Sequence, residues 1–188
     1  MIAIVDYGVG NLYSVQKALL YIGYQSHITA DPEQLLAADG IVLPGVGAFG
    51  DAMARLTEQR LVPVLHEVAA CGKPLLGICL GMQLLFSGSD EHGPHEGLGM
   101  IAGRVKRMVG DYKIPHVGWN ELAHRRTHPI LEGTSEGDYA YFVHSYYAVP
   151  EDDEVVLATT DYDQDLPAAV AQGSVIGLQF HPEKSAHT

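Results

Sequence analysis

Leu75-Leu76-Gly77-Ile78-Cys79-Leu80-Gly81-Met82-Gln83 is the stretch that decides the fold. The apolar run 74–78 reads as a strand buried on both faces. Residues 80–86 continue apolar with no turn signal and predict a helix that begins at once. A cysteine is therefore held at a tight strand-to-helix turn, with a glycine two residues away on either side. This is the cysteine form of a nucleophile elbow. The glycines have a steric reason, because a strained turn leaves little room for a Cβ beside the exposed residue. The helix N-terminus favours the thiolate, which is the form that attacks. The competing reading is a buried core cysteine, and the elbow pattern alone does not separate the two. Cys71, in Ala70-Cys71-Gly72-Lys73, closes a helix without a glycine bracket and is assigned no chemistry.

Outward from the elbow, the N-terminal half alternates strands and helices. Residues 2–5 form a short apolar strand that stops at the turn signal Asp6-Tyr7-Gly8. Leu12, Val15, Leu19 and Ile22 recur at helical spacing. Asp31-Pro32 is an N-cap followed by proline at the first helical position, opening a short helix to Leu36. A strand at 41–43 ends at Pro44-Gly45, and helices are expected at 51–58 and 61–70. The fold class is α/β: a mostly parallel central sheet with helices on both faces. In such sheets the site lies at the carboxyl ends of the strands, which singles out residues 6–11, 44–50 and the chain from Cys79 onward. The C-terminal half reads as antiparallel strands at 100–105, 139–148, 154–160 and 168–180, with a turn at 171–174. A single domain over 1–188 is expected.

A thiolate nucleophile needs a base and a group to orient that base. Among the 10 histidines, His92, His95, His124, His128 and His187 sit in polar, loop-like surroundings and are read as surface residues. His181 instead ends the apolar run 175–180. Pro182 is expected to keep the chain extended, so that Glu183 returns to the same side and holds the imidazole. Cys79, His181 and Glu183 then form a triad by their roles. The oxyanion donors would come from Pro44-Gly45-Val46-Gly47-Ala48-Phe49, a glycine-rich turn at a strand end, and from the Leu80 amide. That turn lacks the Gly-Lys-Ser/Thr ending of a nucleotide-binding loop.

Lys and Arg number 11 against 23 Asp and Glu, giving a net charge of −12 with no basic face, which argues against a nucleic-acid partner. No run is long enough to cross a membrane. Neither HExxH nor CxxC spacing is present, so no metal site is expected, and no cofactor. Two cysteines make no disulfide framework, and a cytoplasmic protein with free thiols is expected.

Together these segments resemble the triad-type, class I glutamine amidotransferases. Residues 77–83 are similar to that family's nucleophile segment, and Gln179-Phe180-His181-Pro182-Glu183 is similar to its base segment. Residues 6–11, 44–49, 113–120, 141–147 and 181–185 narrow the resemblance to the branch serving as glutaminase subunit of imidazole glycerol phosphate synthase, across nearly the whole chain. The resemblance implies a flavodoxin-like amidotransferase domain. It implies hydrolysis of L-glutamine to L-glutamate and ammonia through a cysteinyl thioester. It also implies a heterodimer with a (β/α)8-barrel synthase subunit, which receives the ammonia and makes imidazole glycerol phosphate and aminoimidazole carboxamide ribotide in histidine biosynthesis. By position it assigns Val46 and Gly47 to the oxyanion strand, and Gln83, Glu91, Ser145 and Tyr146 to glutamine binding. Asn11, Trp119, Tyr141 and Lys184 fall where the family's interface and ammonia exit lie. Trp119, the single tryptophan, suits an interface anchor or a core position equally. His116 and His144 also lie in matching segments. The family continues past residue 185 into a terminal helix that this 188-residue sequence lacks. A glutaminase for another synthase, or a catalytically silent regulator, are the alternatives.

Overall fold

The elbow strand lies in the middle of an eight-stranded sheet. The computed structural model describes residues 1–185. Its strands are β1 (Ile2–Val5), β2 (Ser26–Thr29), β3 (Gly40–Gly45), β4 (Leu75–Cys79), β5 (Phe86–Ser89), β6 (His95–Glu96), β7 (Ile101–Arg107), β8 (His116–Glu121), β9 (Ala123–His124), β10 (Tyr139–His144), β11 (Tyr146–Pro150), β12 (Val156–Asp161), β13 (Asp165–Gln172) and β14 (Val175–Leu178). The helices are α1 (Leu12–Tyr21), α2 (Pro32–Ala37), α3 (Phe49–Glu58), α4 (Leu61–Ala70) and α5 (Leu80–Leu84). The main sheet runs β2-β1-β3-β4-β14-β13-β12-β9. The first five run parallel to one another, and the pairs β14–β13, β13–β12 and β12–β9 are antiparallel. This is the expected α/β class.

Side chains alternate across the sheet and sort the helices. Ala3, Val5, Ile41, Leu43 and Leu75 share one core with Leu35 of α2, Phe49 and Leu56 of α3 and Leu61 and Leu65 of α4. Ile4, Val42 and Ile78 point the other way and pack on Val15 of α1. The antiparallel half has a separate core, in which Phe142 of β10 clusters with Leu122, Leu131, Leu157, Leu178 and Phe180. Asp31 caps α2 as expected, its carboxylate accepting from the Glu33 amide at 2.9 Å.

Four expectations are corrected. The helix after Cys79 ends at Leu84, not 86, and Phe86 starts β5. The Leu84 carbonyl is taken by the Leu98 amide, and the Leu85 carbonyl by Met100 and Ile101, so the incoming chain replaces the next helical turn. The run 139–148 is two strands: β10 pairs with β8, while β11 pairs with β7 in a separate four-stranded sheet. The segment from 154 opens with a 3-10 turn, Asp153–Val155, because the Asp152 side chain accepts from the Glu154 amide. Of the histidines read as surface residues only His92 is exposed; His95, His124 and His128 are half-buried, and His187 lies outside the described residues.

Candidate active site

Cys79 is the last residue of β4 and stands at φ 56°, ψ −111°. A non-glycine residue held there costs roughly 1–3 kcal/mol. The surroundings enforce it. A Cβ on Gly77 would lie 2.6 Å from the Gly81 carbonyl oxygen, and one on Gly81 would lie 1.8 Å from the Leu43 carbonyl oxygen. The helix that follows is five residues long and wholly buried, too short to be stable without its packing. The glycine bracket thus lets α5 fold back tightly over β3 and β4 and leaves the sulfur at the cleft.

β14 delivers His181. It runs parallel to β4 with Leu178 opposite Ile78, which brings Gln179 level with Cys79. His181, two residues on, falls on the same side. His181 Nδ1 lies 2.7 Å from Glu183 Oε1, with both side chains under 5% exposed. Pro182 does not keep the chain extended, as the sequence suggested. It opens a 3-10 turn, Pro182–Lys184, and that turn swings Glu183 back. The Ser185 hydroxyl ties the turn down, donating to the His181 carbonyl at 2.7 Å and accepting from the Tyr141 amide at 3.1 Å. His181 Nε2 is buried without a hydrogen-bond partner. Burial lowers the pKa of the ring, but its interactions with Cys79 and Glu183 outweigh burial and raise it to about 9.

Cys79 and His181 line a cleft of about 380 Å³. Val46, Gly47, Leu80, Gln83, Glu91, Ser145 and Tyr146 all line it, beside Cys79 and His181. Gly47 stands at φ +92°, a conformation that favours glycine. Glu91 does more than line the wall. Its carboxylate accepts from the Phe49 amide at 2.7 Å, so it clamps the head of α3 and the end of the turn at 44–49. The model of the glutamine amidotransferase class-I family matches residues 3–188.

The chain belongs to the class I glutamine amidotransferases.

This amidotransferase is 53% identical to the imidazole glycerol phosphate synthase subunit HisH of Geobacillus kaustophilus (strain HTA426), over 98% of this chain and 90% of that one. The Bacillus cereus (strain G9842) protein of the same name is 54% identical over 98% and 88%. Among solved structures, a crystal structure of a glutamine amidotransferase superposes with a TM-score of 0.78 at 20% identity, covering 97% of this chain and 91% of that one. PurLQS from Thermotoga maritima gives 0.77 at 22%, covering 97% and 87%. These two share the fold.

The four residues expected at an interface divide. Trp119 is half-exposed and meets Tyr141 edge-on at 6.0 Å, and the Lys184 ammonium sits 5.7 Å from the Tyr141 ring centre. The core reading of Trp119 is therefore set aside. Asn11 is exposed at the head of α1, with no side-chain cap bond, and stands apart from this trio's contacts.

The amidotransferase cleft also holds residues that sequence reasoning passed over or left unplaced. Gln179 is fully buried beside Cys79, with its amide nitrogen 3.9 Å from the sulfur. Its only sequence signal was a polar residue inside an apolar strand, two before the base. Tyr7 donates to the Pro44 carbonyl at 2.8 Å under the turn at 44–49; burial, then the charge of Cys79, pushes its phenol pKa up. His144 lines the cleft and contacts His116 Nδ1 through its Nε2 at 3.2 Å. His116 is stacked between Phe142 and Tyr162.

Burial is the main cause that lowers both of these histidines to about 4. Their folded values lie below the ordinary 6.5, so their stabilising contribution is complete above pH 6.5 and is lost as the pH falls toward 4. His181 has the opposite sign: its contribution is complete below 6.5 and is lost as the pH rises through about 9. The urea midpoint, followed by Trp119 fluorescence, is expected to be highest near pH 6.5 and to fall toward both pH 5 and pH 9. A midpoint constant across that range would contradict these environments.

Proposed function

We propose that this cleft hydrolyses L-glutamine to L-glutamate and ammonia through a thioester on Cys79. The observation that carries the reading is the His181–Glu183 contact at 2.7 Å, which leaves Nε2 as the free nitrogen beside the elbow cysteine. Glu183 holds the proton on Nδ1, so Nε2 accepts the thiol proton, and the thiolate left behind is one of the groups that hold the ring's pKa at about 9. The sulfur attacks the side-chain amide carbon. The developing oxyanion meets the Gly47 region and the Leu80 amide, which heads a helix and has no partner within it. The C–N bond breaks as His181 returns its proton to the departing ammonia. Water, deprotonated by the same imidazole, then cleaves the C–S bond, releasing glutamate and restoring the thiol. Gln83, Glu91, Ser145 and Tyr146 shape the wall against which the amino-acid end of glutamine rests.

The chain acts as the glutaminase subunit of an imidazole glycerol phosphate synthase in histidine biosynthesis. Identity near 53% to proteins of that name, along 98% of the chain, supports this over a glutaminase for another synthase. The lyase chemistry belongs to the partner. That partner is a (β/α)8-barrel subunit, and its docking face is the outer side of the β8–β10 ribbon. Val117, Trp119 and Val143 are exposed there in one apolar row, next to Tyr141 and Lys184. A single domain over 1–188 is supported by a core that runs from Ala3 to Val175. A cytoplasmic setting is supported by two unpaired cysteines; among the described residues no helix is long and apolar enough to cross a membrane.

The test is a glutaminase assay on the chain alone, then with the barrel synthase, then with its ribotide substrate added. Hydrolysis is expected to be slow alone and strongly accelerated in the complex. No acceleration by that partner would remove the assignment to this synthase.

A further inference from the structure

We infer that Gln179 is a catalytic residue whose side-chain amide donates a hydrogen bond to the Cys79 sulfur, with Gln83 fixing which end of that amide faces the sulfur. The inference rests on Cys79 being the nucleophile.

The orientation of a glutamine amide is usually ambiguous. Here the neighbours settle it. The Tyr146 carbonyl can only accept, so the Gln83 atom 3.0 Å from it is Nε2. The same nitrogen lies 3.0 Å from Gln179, which must present Oε1 to it. Gln179 Nε2 is then the atom that reaches the sulfur, at 3.9 Å. The remaining donors and acceptors agree. The Tyr146 carbonyl takes its second hydrogen from His144 Nδ1 at 2.9 Å. His144 Nε2 is thereby bare and accepts from His116 Nδ1 at 3.2 Å. His116 Nε2 accepts in turn from the Asn120 amide at 3.4 Å. The bonds from β8 thus run toward the Tyr146 carbonyl, while the Gln83 amide gives one hydrogen to that carbonyl and the other to Gln179, so both of its hydrogens are spent. Gln83 is left with only an acceptor, Oε1, to offer the substrate.

The donor matters because the sulfur changes state. As a thiol, Cys79 can donate to the Val143 carbonyl, 4.0 Å away. Once it has given its proton to His181 it can only accept. The Val143 oxygen then repels it, and the Gln179 N–H matches it. The anion appears during attack and again when the thioester is cleaved, so this bond is stronger in the charge-bearing states than in the resting thiol. Gln179 is fully buried, where a bond to an ion is screened little. The other titratable groups around this sulfur's cleft are His181, with Glu183 behind it, from the turn after β14, Tyr7 from the turn after β1, His144 from β10 and Glu91 from the cleft wall.

The test uses the full chain carrying Cys71→Ser. Cys71 is exposed at the end of α4 and takes no part in the cleft, so Cys79 becomes the sole thiol. Iodoacetamide labelling is followed against pH with Gln179 intact, Q179M and Q179E. Methionine removes the donor, and glutamate keeps the acceptor for Gln83 but turns an oxygen toward the sulfur. The labelling midpoint is expected to rise by roughly 0.5–1 pH unit in Q179M, and by more in Q179E. In the complex with the synthase, kcat is expected to fall about tenfold, with KM changed less than about twofold. Folded variants, judged by circular dichroism, whose midpoints stay at the parent value would overturn the proposal. If methionine prevents folding, Q179E alone decides. Cys79→Ala, assayed beside them, separates the failures. Retained activity there overturns the nucleophile and this proposal together, whereas a dead Cys79→Ala with unmoved midpoints overturns the hydrogen bond alone.

Discussion

Cys79→Ala is expected to lower kcat for glutamine hydrolysis by about 10⁴-fold or more, while the melting temperature stays within about 4 °C. Alanine keeps the Cβ that already stands at φ 56°, so the elbow's strain is unchanged. What disappears is the sulfur and with it the covalent route; the oxyanion turn and the cleft wall remain. A residual rate above water is the expected remainder. The variant also has a signature that simple misfolding would not produce. Burial still lowers the His181 pKa, and of the two groups that raise it only Glu183 is left, so the midpoint should drop below about 9. Proton NMR of the imidazole would read that drop. Full glutaminase activity in a well-folded Cys79→Ala would remove the thioester route altogether.

The legible parts of this fold share a physical trait: each is decided by residues close in sequence. Continuous apolar runs such as Ile41-Val42-Leu43 mark strands covered on both faces, and Asp31-Pro32 caps α2 with its own side chain. The His181–Glu183 contact and the tight turn at Cys79 were legible for the same reason. The glycine bracket around Cys79 is local, and Glu183 reaches His181 within two residues. Even there the cause was misjudged, because a 3-10 turn at Pro182, and not an extended chain, returns the carboxylate. Partnerships across long separations were hidden. Phe86 leaves the helix because residues 98–101 occupy the carbonyls ahead of it. His144 and Tyr146, one residue apart from Ser145 on either side, belong to different sheets, and nothing in their alternation marks the change of partner. Gln179 finds its partner 96 residues away, in Gln83, and nothing beside it in sequence marks that pairing. Trp119 was undecided until the ribbon's register put it on the outer row.

The second large effect concerns Gly81. Gly81→Ala is expected to destabilise the chain by roughly 3 kcal/mol, lowering the melting temperature by about 6–12 °C, and to reduce glutaminase activity at least as severely as loss of a binding residue. The added Cβ would lie 1.8 Å from the Leu43 carbonyl oxygen, a backbone atom inside β3 with no freedom to rotate away. Either β3 moves, which drags the oxyanion turn at Val46 and Gly47 with it, or α5 lifts, which moves Cys79 and Gln83. Both movements break the alignment between β4 and β14 on which the Cys79–His181 approach depends. Gly40→Ala is the matched comparison. Its Cβ would meet nothing closer than 3.7 Å, and it sits at the opposite end of the same strand from the oxyanion turn, so a change within about 0.5 kcal/mol is expected. Thermal melts of the two variants side by side, with glutamine hydrolysis measured in the complex, would separate the steric demand of the elbow from a general intolerance of β3. Equal melting temperatures would mean that α5 does not cross β3 as closely as the 1.8 Å approach requires. The elbow would then have to be held by something other than its glycines.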